Sequence, residues 1–192
     1  MNTGLRQQNE YVFHALAIDE HRKAFGPTLW TNQGATTVAP RAIERTEQRW
    51  FVGAHANVGG GCLNDPLAQI PFEWLKRKAA ALGLTFNSEF EVEAGAASAE
   101  ISDSFSEMAS GLYRLLRLGI RFHRLIGIPP AHEGPGVKNI NETIDASVFD
   151  RWRADDRYRP RGLRNWANRN GLDPATVTTS VRADAPTVIA AN

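Results

Sequence analysis

Apolar residues fill the segment Tyr11-Val-Phe-His-Ala-Leu-Ala-Ile, and charged ones follow at once in Asp19-Glu-His-Arg-Lys. A run that is apolar on nearly all sides and then turns charged predicts a helix largely buried in a larger body, its C-terminal end in water. Gly26-Pro27 is its stop signal, and Thr31 to Pro40 is a polar, Gly-containing connection. Trp50-Phe-Val, between the charged Glu47–Arg49 and Gly53, predicts a short buried strand ending near Gly53 or Ala54. His55 to Asp65 reads as a loop. Asp65-Pro66 then opens a helix, because Asp is a good N-cap and Pro is favoured at the first helical position. Leu67, Ile70, Trp74, Leu75 and Leu82 keep helical spacing up to Gly83, which stands where a C-terminal cap belongs. Pro71 lies inside this helix and either starts its regular part or bends it.

Further along, residues 86–104 are acidic and rich in Ala and Ser, the composition of a loop or insertion. Met108, Leu112, Leu115 and Leu116 fall on one side of a helix expected from Glu107 to about Leu118. Ile128-Pro-Pro to Gly136 is a breaker-rich connection, and Ser147 to Arg153 predicts a short helix. The organised part therefore reads as one domain over residues 1–170, with a loose tail over 171–192. The fold class is α/β, with oddly little strand for it.

Composition adds bounds more than content. The chain has 192 residues, 42% hydrophobic and 22% charged, which is one domain of ordinary globular character. Lys and Arg number 22 against 21 Asp and Glu, so a net charge of +1 gives no global argument for nucleic acid or an anionic membrane. A single cysteine, Cys62, excludes an internal disulfide framework and a cysteine-rich zinc site. No apolar run approaches the roughly 20 residues of a membrane helix. The first ten residues lack the apolar core of a secretory signal, so the cytoplasm is the default location.

Among residues that carry chemistry, His55 stands out. It directly follows the expected strand, and Gly59, Gly60 and Gly61 come within a few positions. Sites in sheets flanked by helices lie at the carboxyl ends of strands, and glycines let backbone approach a ligand closely. The plainer account is a histidine bonded inside a tight turn. The three glycines are neither a Walker A loop nor Gly-x-Gly-x-x-Gly, and a tight strand-to-helix turn explains them. His14, Asp19, Glu20 and His21 do not make a metal site: the two histidines are seven apart, two turns along the expected helix. No metal and no cofactor are expected. Arg151 to Arg169 is a basic stretch interleaved with Trp152, Tyr158 and Trp166, a composition that can bind single-stranded nucleic acid. Asp150, Asp155 and Asp156 sit among the arginines, so local salt bridges are the stronger account, and Arg-Pro-Arg-Gly reads as an extended connector. The nucleophile elbow Gly-x-Ser-x-Gly is absent, and Gly95-Ala-Ala-Ser-Ala is not one.

Trp50-Phe-Val-Gly-Ala-His-Ala-Asn-Val-Gly-Gly-Gly resembles the Trp-Phe-x-Gly-x-His-Ser-Asp-Val-Gly-Gly-Gly signature of an α/β-hydrolase family that includes phospholipase effectors of bacterial type VI secretion. Three other segments agree in order. Phe13 to Trp30 resembles what would be the family's helix before that strand, and Leu67-Ala-Gln-Ile-Pro-Phe-Glu-Trp-Leu, ending in Gly83-Leu84, resembles the helix after it. Ser147-Val-Phe-Asp-Arg with Tyr158-Arg-Pro-Arg-Gly-Leu resembles its closing motif, so the likeness spans about residues 11–166. The resemblance implies a three-layer hydrolase fold in which His55 is the catalytic histidine, Asn57, Gly59, Gly60 and Gly61 form the substrate loop, and the substrate is a lipid or small ester. It also implies that the serine elbow, the triad's aspartate and most of the parallel sheet lie upstream of Phe13, where about ten residues stand here. The expectation is the C-terminal part of a serine hydrolase, inactive alone, with an open sheet edge for a protein partner. Effectors of this kind leave the cell without a cleaved signal peptide. Asn57 stands where the family usually has Asp. The alternatives are a non-enzymatic remnant or interaction module of the same fold, and, more remotely, nucleic-acid binding through Arg151–Arg169.

Overall fold

The computed structural model describes residues 5, 8–32, 41–61, 65–103, 118, 120–129 and 134–186. The expected helix from Glu107, apart from Leu118, lies outside the described residues, as do Cys62 and residues 187–192.

A four-stranded mixed sheet organises the chain, in the order β1 (Val12–Ala17), β2 (Thr46–Phe51), β3 (Glu142–Ile144), β4 (Val181–Arg182). β1, β2 and β3 are parallel, and β4 runs antiparallel to β3. The fold is thus of the α/β class. Four helices accompany these strands among the described residues: α1 (His55–Gly59), α2 (Pro66–Ala81), α3 (Ala146–Ala154) and α4 (Arg161–Asn170). None of them is long and apolar enough to cross a membrane.

The first expectation to fall is the buried helix at Tyr11–Lys23. Val12–Ala17 is a strand, paired residue for residue with Thr46–Phe51. A continuous apolar run of this length serves a buried parallel strand as well as a buried helix, and only a tertiary partner separates them. The register puts Leu16 beside Trp50 and Ala17 beside Phe51, with Ile144 on the far side of Trp50. Alternate residues then face opposite layers. On one face Phe13 and Phe51 meet Trp74 of α2, with ring centroids 6.0 and 5.5 Å apart. On the other, Leu16, Trp50 and Ile144 pack with Val148 and Phe149 of α3 and Leu163 and Trp166 of α4.

Helix starts follow the chemistry of their first residues. Asp65 caps α2 by accepting from the Leu67 amide at 3.2 Å, with Pro66 at the first position and Pro71 inside the helix. Asp145 caps α3 by accepting from the Ser147 amide at 3.0 Å. The extended connector expected around Arg159-Pro-Arg-Gly ends at Pro160, where α4 begins; Leu163, Trp166 and Ala167 supply the buried face that outweighs the breakers. The expected loose tail is also corrected over its first part. Pro174–Thr176 forms a 3-10 turn, β4 pairs with β3, and the Ala183 carbonyl accepts from Trp166 Nε1 at 2.9 Å.

Gly162 opens α4 against the Arg124 carbonyl: a Cβ there would sit 2.6 Å from that oxygen, which is backbone and cannot swing aside. Gly162→Ala is therefore expected to destabilise the chain by about 1–3 kcal/mol, the usual range for overpacking. Urea unfolding with an unchanged slope is the check, and an unaltered midpoint would refute the close approach.

Candidate active site

The carboxyl ends of β1 and β2 lie side by side, and each is followed directly by a residue that can do acid–base work. After β1 come Ile18, Asp19 and Glu20; after β2, Gly53 and Ala54 lead into His55. Adjacent parallel strands thus deliver Glu20 and His55 to one place, the crevice where ligands bind in such sheets. Asp19 ties the two strand ends together. Its Oδ2 accepts from the Gly53 amide at 2.8 Å and from the Tyr158 hydroxyl at 3.1 Å, and burial pushes its carboxyl up from the ordinary range.

Glu20 is 1% exposed. Its carboxylate accepts from Arg22 Nε at 3.0 Å, Arg22 Nη2 at 2.8 Å and the Arg22 amide at 2.9 Å. Burial alone would raise it, but these bonds and the one with His55 outweigh burial and hold Glu20 at about 2. It is an anion, and only an acceptor, across the working range. His55 Nδ1 lies 2.6 Å from Glu20 Oε2 and 2.7 Å from Arg22 Nη2. Donation from Nδ1–H to the carboxylate leaves the Nε2 lone pair free; acceptance from Arg22 instead puts the ring proton on Nε2. The His55 side chain is 47% exposed, and Phe25 stacks on the ring with centroids 4.7 Å apart. The Arg22 guanidinium covers the Phe25 ring at 3.8 Å, so the imidazole is oriented by bonds at Nδ1 and by a ring face.

Beside His55 lies a cavity of about 540 Å³. Its wall runs along His14–Ala17 of β1, past Glu20, Phe25, Val58, Gly59 and Gly60, to Phe72 and Leu75 of α2 and to Phe90 and Arg124. The volume suits a small ligand or an acyl chain. Among the described residues no serine, threonine or cysteine contributes to that wall.

The expected loop from His55 has a helical first turn, and its residues divide. Gly59 and Gly60 line the cavity, Gly60 with a φ of +77° that favours glycine. Asn57 and Gly61 are not part of the wall. Asn57 points inward, where Oδ1 accepts from the Ala54 amide at 3.0 Å and the Ser102 amide at 3.1 Å. Its Nδ2 donates to Asp65 Oδ2 at 2.8 Å and to Ser102 Oγ at 3.1 Å. It anchors the turn that carries His55, and Gly53, at φ +113°, leaves room for it: a Cβ at Gly53 would meet Asn57 Cβ at 2.6 Å.

The remaining candidates disperse. His14 packs on Trp30, while His21 Nδ1 bonds the Phe122 carbonyl at 3.1 Å. No group of three potential metal ligands occurs among the described residues. In the basic stretch, Arg151 donates to the Ala97 and Ala99 carbonyls, and Arg153, Arg157 and Arg159 pair with Asp150, Asp155 and Asp156. Two residues take functional places the sequence reading did not give them: Glu20, weighed there only as a metal ligand, and Arg124. Glu20 was hidden inside the expected helix; Ile-Asp-Glu at the end of a strand would have been its signal. Arg124, buried at the cavity wall, has no sequence signal.

Residues 1–78 match the family model described as the catalytic domain of Tle1-like phospholipase effectors of the type VI secretion system (T6SS). No curated protein and no solved structure matches the chain. The matched stretch contains β1, β2, α1, Glu20, His55 and the three glycines. Over residues 1–78, which carry Glu20 and His55, the chain is similar to the catalytic domain of type VI phospholipase effectors.

Proposed function

We propose that the chain supplies the general-base side of an ester hydrolase of α/β-hydrolase type, acting on a lipid or small carboxylic ester. The observation that carries this reading is the short Glu20–His55 contact at the carboxyl ends of two adjacent parallel strands, opening on an apolar cavity. His55 is the catalytic histidine. Glu20 is a positioning residue, the part that the resemblance assigns to an upstream aspartate. The 2.6 Å contact to a permanent anion favours Nδ1–H donating to Glu20, which leaves Nε2 as the base.

In the reaction, a serine hydroxyl from a segment beyond the described residues attacks the ester carbonyl carbon. As the new C–O bond forms, its proton passes to Nε2. The imidazolium is stabilised by Glu20 and then gives that proton to the departing alcohol as the old C–O bond breaks. Water repeats the cycle and releases the acid. Phe72, Leu75 and Phe90 receive the acyl chain, and Gly59 and Gly60 present backbone to the ester.

A second reading draws on β1, which has a neighbouring strand on one side only among the described residues. Such an edge accepts a strand from a partner, as an interaction module would. The two are separated by following fatty-acid release from dihexanoyl-phosphatidylcholine and from dihexanoylglycerol with the complete translation product of the gene. Release from at least one substrate is the expected result. No release from either ends the hydrolase reading in favour of the module.

A further inference from the structure

Arg22 brings three donors to the Glu20 carboxylate from one residue. Oε1 accepts from the Arg22 amide at 2.9 Å and from Arg22 Nε at 3.0 Å. Oε2 accepts from Arg22 Nη2 at 2.8 Å and faces His55 Nδ1 at 2.6 Å. A carboxylate offers about four lone-pair positions, so the three Arg22 bonds leave about one, and the imidazole stands at it. Turning the carboxylate, or protonating either oxygen, then breaks a bond to Arg22.

Arg22 is itself held. It is 5% exposed, and its extended backbone, at φ −83° and ψ 127°, turns its side chain to the side of the residue two before it, Glu20. The guanidinium lies over the Phe25 ring at 3.8 Å, and the same ring stacks on His55 at 4.7 Å. Arg22 Nη2, His55 Nδ1 and Glu20 Oε2 close a triangle in which the two nitrogens are 2.7 Å apart. Burial would raise the Glu20 carboxyl, and the Arg22 side-chain bonds are the largest of the contacts that hold it down. A buried carboxylate without them is basic enough to compete for the ring proton.

We infer that Arg22 is a positioning residue for the base: it locks the Glu20 carboxylate with one oxygen aimed at His55 Nδ1 and leaves the ring proton on the imidazole. As a catalytic role this rests on the ester-hydrolase reading; as the placement of a proton it does not. When the imidazolium forms, the proton taken at Nε2 goes to the departing alcohol and the Nδ1 proton stays in place. Both bonds of the planar fork are needed to fix the carboxylate, which an ammonium group does not supply.

Proton NMR of the complete protein with 15N-labelled histidine reads the arrangement without substrate. The wild type is expected to show an Nδ1–H resonance far downfield of the amides, absent from His55→Ala. Arg22→Gln loses that resonance and lowers kcat by about 10²-fold, with KM within about threefold. Arg22→Lys, which keeps the charge without the fork, falls between the two in both readings. Arg49→Gln, which breaks another arginine contact of the sheet, with Glu47 and Asp145, leaves the resonance in place. A resonance unchanged in Arg22→Gln overturns the inference, and so does a wild type without one, in which Nδ1 accepts from Arg22 instead. Should Arg22→Gln not fold, Arg22→Lys decides, since lysine with the wild-type resonance shows that the fork positions nothing. Absence of hydrolysis by the wild type removes the ester-hydrolase reading and leaves the resonance to decide the role of Arg22.

Discussion

His55→Ala in the complete protein is expected to lower kcat for ester hydrolysis by about 10⁴-fold, and Glu20→Gln by about 10²- to 10⁴-fold, with KM little changed. The first removes the base. The second keeps the size of the side chain but exchanges a permanent anion for an amide that no longer stabilises the imidazolium or fixes Nδ1–H. The double variant should be no slower than His55→Ala alone, since Glu20 acts only through the ring. A merely structural Glu20 would add its own loss in the double variant, and its single variant would keep a wild-type pH–rate profile. Stability gives an independent sign. Glu20 is held at about 2 in the fold against 4.5 for the free side chain, so its contribution is fully present above pH 4.5 and is lost as pH falls toward 2. That is about 3 kcal/mol of acid-sensitive stability, which Glu20→Gln should lack in urea melts across this range. The same variant leaves Arg22 buried beside a neutral partner, so a lower baseline stability accompanies the flatter acid limb.

How far the sequence foretold this site depends on which forces acted locally. Asp65-Pro66 was legible because capping is decided within one turn, and the short helix at Ser147 was legible without its Asp145 cap being read. Trp50-Phe was legible as strand, and so was the position of His55 shortly past its end, but β2 begins earlier, at Thr46, takes in the charged Glu47–Arg49 through pairing on both sides, and ends before Val52. Val12–Ala17 was not, because its apolar run becomes a strand only through pairing with Thr46–Phe51. That single misreading hid Glu20, which on a helix is one more charge in a solvated tail and on a strand end is the partner of His55. β3 and β4 are too short, at three and two residues, to carry a pattern. Arg124 owes its place to Phe25, His21 and Gly162, residues about 40 to 100 positions away, and nothing near it in sequence announces that.

Asn57→Asp, which restores the residue the related signature carries, is expected to harm this protein. The two amides of Ala54 and Ser102 point at Oδ1, so the other end of the side chain must be a donor, and it faces Asp65 Oδ2 at 2.8 Å. With Asp at 57, two carboxylates meet at hydrogen-bond distance and cannot both ionise. One either keeps a proton, which raises its pKa, or the pair separates, and with it the cap on α2 and the turn that aims His55. The destabilisation is about 2–4 kcal/mol at neutral pH and shrinks as the pH is lowered and the pair shares a proton. Asn57→Asp with Asp65→Asn reverses the donor and acceptor and should recover most of the loss, while keeping an N-cap at residue 65. Chemical unfolding of the single and double variants at two pH values decides it. If the single variant is as stable as the wild type, Asn57 is not the donor that holds this turn. If it is unstable and rescued, Asn at 57 is matched to Asp65 and is no sign of a decayed site.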